Sequence, residues 1–196
     1  MQAALRVSGP GDTPAFLVDG RARPFPAAGL YESVCWILEA FPAGFAAFRE
    51  NLAPRALALR PELLNTAGID TAAPGPLLFF TARDPRRFFL YGLSLRTGPG
   101  DILKGVLEGV AYTWAALLLQ EAGGRELRGE GWDFRVDPFC RFLADSSGMQ
   151  VAASGSVYDP SGSASLFREA RSRHARLARE MGGCFSVLAD IEKNIT

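Results

Sequence analysis

The run PGDILKGVLEGVAYTWAALLLQEAGG, Pro99 to Gly124, continues as RELRGEGWDFRVDPFCRFLADSSGMQV, Arg125 to Val151, and its reading decides the fold. Leu103, Val106, Leu107, Val110, Trp114, Leu117 and Leu118 recur at close to 3.6 residues, which predicts one long helix. Asp101 is its expected N-cap, and Gly123 with Gly124 its stop. A short strand then ends in Gly129-Glu130-Gly131. A second helix, Pro138 to Ser147, opens with proline and closes before Gly148, and Met149 to Ala153 reads as a further strand. A strand that ends in Gly-x-Gly ahead of a helix leaves backbone N–H groups beside the helix's positive end, where phosphate oxygens bind. The order of elements therefore points to a nucleotide.

Working outward, strand and helix alternate from Leu77 onward, which implies an α/β layer structure. Leu77–Phe80 and the β-rich Arg87–Leu95 flank the polar turn TARDPR and read as two strands of a sheet. Leu5–Val7 and Ala15–Val18, separated by the turn-forming SGPGDTP, predict a hairpin. LYESVCWILEAF, Leu30 to Phe41, is an amphipathic helix closed by Pro42. Phe45–Ile69, broken by Pro54 and Pro61, suggests two short helices. Past Val151, SVYDPSGSAS reads as a turn, Ser165–Met181 as a helix carrying the basic run REARSRHARLARE, and residues 182–196 as a short helix or tail.

Bulk properties exclude several classes. The 196 residues fit one domain, 1–196. Its 21 basic and 21 acidic residues cancel, so no net field favours nucleic acid or anionic lipid. Val106–Leu119 contains Glu108 and Gly109 and is shorter than the roughly 20 residues a bilayer span needs, so it reads as a buried helix. The expected setting is cytoplasmic, with no membrane and no nucleic acid as partner. Cys35, Cys140 and Cys184 are widely spaced and read as buried thiols of a reducing compartment. The single histidine, His174, lies in the charged run, reads as solvated, and leaves no ligand set for zinc. Asp12, Asp19 and Asp70 read as turn or capping residues, and Trp132 as a core or loop anchor. No catalytic residue and no metal ligand stands out.

These motifs together resemble the carboxy-terminal domain of the FGGY carbohydrate kinases, of the xylulokinase and glycerol kinase type. The family carries an apolar run and a Gly-Glu-Arg-x-Pro turn, matched by Leu77–Phe80, Arg83 and Pro85, and then a Gly-Leu pair, matched by Gly92 and Leu93. Its R-A-x-x-E-G-[IV]-[AC]-[FY] helix corresponds to Lys104, Gly105, Leu107, Glu108, Gly109, Val110, Ala111 and Tyr112. Its triple glycine corresponds to Gly129, Glu130 and Gly131, its Ala-Asp to Ala144 and Asp145, and its Gly-Ala-Ala to Gly162, Ser163 and Ala164. The match covers residues 75–168, with a weaker echo around Gly29 and Trp36.

The resemblance implies a ribonuclease-H-like (actin-like ATPase) domain, a mixed sheet with flanking helices, that forms one jaw of a nucleotide clamp. It implies ATP with Mg as cofactor and a sugar or polyol, at family level a pentulose, as phosphoryl acceptor. Gly129, Glu130 and Gly131 would be the main nucleotide contacts. Gly162 and Ser163 would border the adenosine or, in the favoured reading, permit tight helix packing. Glu130 replaces the middle glycine, and its carboxylate repels phosphate. The family's Asp-x-Gly-Thr motif, sugar pocket and catalytic aspartate belong to an amino-terminal half, so the resemblance implies an amino-terminal kinase domain or subunit as partner. The alternative is a non-catalytic remnant acting as a nucleotide- or protein-binding module, as a homo-dimer.

Overall fold

A computed structural model describes residues 3–6, 15–18, 21–24, 27–40, 66–81, 88–121 and 126–195, with positions 58, 60, 61 and 64. In chain order the elements are β1 (Ala3–Arg6), β2 (Ala15–Val18), β3 (Arg21–Pro24), α1 (Leu30–Ala40), β4 (Leu78–Thr81), β5 (Phe88–Tyr91), α2 (Pro99–Glu121) and β6 (Glu126–Glu130). A 3-10 turn at Asp133–Arg135, α3 (Asp137–Ser147), β7 (Gln150–Ala153), β8 (Ser156–Tyr158) and α4 (Ala164–Ile195) complete it. The expected pair of helices over Phe45–Ile69 and the turn Arg83–Pro85 lie mostly or wholly outside the described residues.

Six strands form one mixed sheet in the order β3-β2-β1-β6-β7-β8. β1, β6 and β7 are mutually parallel, Leu5 facing Gly129 and Gly129 facing Ala153, while β2, β3 and β8 are antiparallel additions. The hairpin expected near the start is β1 with β2. β3 escaped the sequence reading because its RARP carries no β-branched or aromatic residue and ends in proline. In β6 and β7 the alternation is plain: Leu127, Gly129, Val151 and Ala153 are buried, Arg128 and Glu130 exposed.

α2 is buried almost all round, with Val106, Leu107, Ala111, Trp114, Ala115 and Leu118 inaccessible. By length and composition Pro99–Gln120 could cross a membrane, but 72% of its most apolar window is buried against the rest of the chain, as in a core helix. Trp114 meets Phe139 edge-on at 5.2 Å and Phe134 at 5.9 Å, and its Nε1 donates to Ala28 O at 3.0 Å. Phe142 of α3 packs on Phe167 of α4 at 5.6 Å. Asp101 is not the N-cap of α2. It stands in the first turn and its Oδ2 accepts the Gly98 N–H at 2.9 Å, the returning half of a capping box.

Leu78–Thr81 and Phe88–Tyr91 do pair, but as a separate two-stranded sheet laid on α2 rather than as part of the main one. Gly105 and Gly109 explain how β4 approaches so closely. A Cβ on Gly105 would lie 2.9 Å from Leu77 Cβ, and one on Gly109 would overlap the Phe79 carbonyl.

Three expectations fail here. SVYDPSGSAS is not all turn: Ser156–Tyr158 is β8, hairpinned on β7 through Ser154 (φ +50°) and Gly155 (φ +82°). The last helix does not stop at Met181 but runs on through Gly182 and Gly183 to Ile195. His174 is not solvated: it is 4% exposed, stacked on Phe80 at 4.3 Å, with a ring nitrogen 2.8 Å from Phe79 O. A carbonyl only accepts, so Nε2 carries the proton. Helical period supplies the reason, since His174 falls two turns after buried Phe167 on the face that packs against α2 and α3. Burial lowers its pKa.

Candidate functional site

The carboxyl ends of β1, β6 and β7 lie along one edge of the sheet, where Arg6, Glu130 and Ala153 end their strands. Ligands of open α/β sheets bind outside this edge. Gly131 (φ +111°) and the Ser154–Gly155 turn sit there, and Glu130 is exposed.

Gly129 serves a different purpose from the one the motif suggested. It stands inside the ladder between β1 and β7, and a Cβ on it would fall within the ring of Phe134. The glycine is required by the ring that lies across β6, not by close approach of a ligand.

Asp133, two residues after Gly131, was missed by sequence reasoning. It is fully buried, its Oδ2 accepting the Leu30 N–H at 3.0 Å and its Oδ1 the Tyr31 N–H at 3.3 Å. The positive end of α1 is thus filled by the chain's own carboxylate. Burial pushes the Asp133 pKa up to about 7, Glu32 adding to the rise while the two N–H bonds oppose it. Beside it Trp132 is 4% exposed and meets Tyr31 edge-on at 5.2 Å, the anchoring role expected of it. No local pattern marks Asp133, because its partners lie over a hundred residues away.

Gly162 and Ser163 are not brought to this edge. β8 runs back along β7, so Tyr158 lies opposite Val151 and Asp159 Oδ1 accepts from Gln150 Nε2 at 2.6 Å, at the opposite edge. The loop that follows is held by buried Asp145, which accepts the Ser161 N–H at 2.5 Å and the Ser161 hydroxyl at 2.9 Å. Ser163 O then accepts the Leu166 and Phe167 N–H groups at the start of α4. A Cβ on Gly162 would meet nothing within 4 Å, so tight helix packing does not account for this glycine. The Ala-Asp and Gly-Ser-Ala motifs, separate in sequence, are one structural joint.

A second cluster lies on α2. Glu108 is 1% exposed, and its two oxygens accept the Gly75 N–H at 2.9 and 3.0 Å. Lys104 Nζ is 3.7 Å from Glu108 Oε1 and donates to Ala73 O at 2.8 Å. Burial pushes the Glu108 pKa up to about 7 against the pull of Gly75 and Lys104. One turn on, the buried Tyr112 hydroxyl makes no hydrogen bond of good geometry but interacts with the Glu108 carboxylate, and burial with the Glu108 charge raises its pKa. Between the Thr66–Pro76 segment and the first turns of α2 lies an open groove of about 530 Å³, lined by Gly68, Asp70, Gly75, Pro99, Asp101 and Lys104 among others. Among the described residues, no three His, Cys, Asp or Glu side chains converge to hold a metal.

No family model and no curated protein matches the chain in sequence. Solved structures do match in fold, and the class they define is the sugar kinases. A xyloylose kinase from Brucella ovis superposes with a TM-score of 0.63 at 16% identity, covering 93% of this chain and 48% of that one. A ligand-bound xylulose kinase from Lactobacillus acidophilus gives 0.63 at 13% over 95% and 49%, and a xylulose kinase from Rhodospirillum rubrum 0.60 at 18% over 94% and 47%. The chain therefore has a mixed α/β fold found in these kinases and spans about half their length. The resemblance to the carboxy-terminal domain of the FGGY carbohydrate kinases is borne out at the level of fold.

Proposed function

We propose that this chain is the carboxy-terminal, ribonuclease-H-like domain of a carbohydrate kinase and forms one wall of an ATP site. The observation that carries the reading is the turn of exposed Glu130 and half-buried Gly131 at the carboxyl edge of three parallel strands, in a chain with the fold of half a sugar kinase. Gly131 turns the chain at φ +111°, a conformation that favours glycine, while the Glu130 carboxylate repels phosphate and accepts hydrogen bonds from hydroxyls. The turn fits the ribose end of a nucleotide better than its phosphates. Magnesium-bound ATP would supply the phosphoryl group. A cytoplasmic amino-terminal domain or subunit would supply the acceptor sugar or polyol and the catalytic base, and transfer would need both jaws together.

One observation favours a second reading, a non-catalytic binding module. Asp133 already occupies the positive end of α1 with the chain's own carboxylate. The test is a titration with MgATP followed by melting temperature. Saturable stabilisation, about 2.7 kcal/mol at a hundredfold excess over Kd, supports a nucleotide wall. Phosphorylation of a pentulose on mixing with an amino-terminal sugar-kinase half then separates the first reading from the second.

A further inference from the structure

We propose that Thr66–Pro76 is a proton-responsive strap, held over the α2 groove by ionised Glu108 and loosened when Glu108 takes up a proton. Among the described residues, the polar attachments of the strap to α2 converge on one turn, while Ile69 packs against the apolar core. Gly75 gives its N–H to both Glu108 oxygens, and Ala73 gives its carbonyl to Lys104. Asp70, which closes its own turn by accepting the Ala72 N–H at 2.8 Å, stands 3.9 Å from the same ammonium. Lys104 thus bridges a buried carboxylate on the helix and an exposed one on the strap.

Among the described residues, the charged and titratable groups around Glu108 are Lys104 and Tyr112 on its own helix and Asp70 on the strap. From β4 the neighbours are apolar, and from α4 His174 faces the Tyr112 ring at 5.6 Å and is held neutral by burial. Ionised Glu108 presents two acceptors to Gly75 and a counter-charge to Lys104. Protonated, it keeps one good acceptor, gives up the counter-charge, and gains a donor for the Tyr112 oxygen, whose hydroxyl already interacts with the ionised carboxylate. Protonation therefore turns the carboxyl from the strap toward the helix. The same burial makes the neutral form the better one for the fold as a whole. Acid should thus loosen the strap while strengthening the domain, two responses of opposite sign from one group.

The experiment is amide hydrogen exchange of the full chain, each rate corrected for its intrinsic pH dependence. Gly75 protection is expected to fall about tenfold between about pH 8 and about pH 6, the difference between a charge-assisted and a neutral bond. In Glu108→Gln protection should be low at both values. Should that variant not fold, Lys104→Met serves: removing the ammonium that favours the ionised carboxyl must move the midpoint to higher pH. Equal Gly75 protection at both values would overturn the proposal. So would a pH response that survives in Glu108→Gln, or an unmoved midpoint in Lys104→Met.

Discussion

Gly109→Ala sets two known effects against each other at one atom. In a helix interior, alanine is favoured over glycine by about 1 kcal/mol. The added Cβ, however, would overlap the Phe79 carbonyl and lie 2.8 Å from Phe79 Cβ. That obstacle is the main chain of β4, paired on its far side to β5, so it cannot rotate away as a side-chain tip could. Overpacking of this kind costs about 1–3 kcal/mol, and the upper part of that range applies where backbone must shift. The net expectation is a loss of about 1–2 kcal/mol. Gly100→Ala is the control, since a Cβ there meets nothing within 4 Å and should cost nothing or stabilise by a few tenths of a kcal/mol. Urea unfolding followed by circular dichroism reads both variants. A Gly109→Ala protein as stable as the parent would refute the claim that glycine is there to admit β4.

Gly129→Ala and Phe134→Ala should each destabilise, the second by about 3–5 kcal/mol, but the double variant should fall short of their sum by at least about 1 kcal/mol; strict additivity would mean that Gly129 does not serve Phe134. Asp145→Ala should cost about 1–3 kcal/mol through the orphaned Ser161 groups, with lost exchange protection at the Ser161 amide. Glu130→Gln is expected to weaken MgATP binding severalfold in calorimetry if the turn meets ribose hydroxyls; tighter binding would put phosphates there instead. Stability should depend on pH in an unusual direction. Glu108 and Asp133, at about 7 in the fold against 4.5 and 3.8 unfolded, hold protons there that the unfolded chain releases, so stability rises as pH falls through about 7. His174 opposes this below its unfolded value of 6.5, because only the unfolded chain accepts that proton readily. The urea midpoint should therefore increase from about pH 8 to about pH 6, and Asp133→Asn should flatten the slope.

The legible parts of this sequence were those fixed by local period and by caps. α2 follows from its leucines and valines, α3 from Pro138 and from Gly148, which adopts the left-handed conformation at φ +73°. What could not be read depends on contacts between distant segments. β3 pairs through its backbone with no β-branched or aromatic residue to mark it, and β8 is a three-residue edge strand whose Val157 stays exposed. His174 looked solvated because its neighbours in sequence are arginines, whereas its neighbours in space are Phe80 and Tyr112. In the candidate site the glycine turn was located correctly at the strand's end, but Gly129 answers to Phe134, and Gly162 and Ser163 belong to the joint made by Asp145. The burial of the acids Asp133, Glu108 and Asp145 was invisible because an acidic residue shows its burial only once the backbone N–H groups it accepts from are in place.

The most direct test of the central claim maps MgATP onto the chain by amide chemical shifts. Saturable shifts are expected at Glu130, Gly131, Ser154 and Gly155 on the carboxyl edge, with Gly162 and Ser163 unmoved. Absence of saturable shifts up to millimolar nucleotide, or shifts centred on the opposite edge, would contradict that claim.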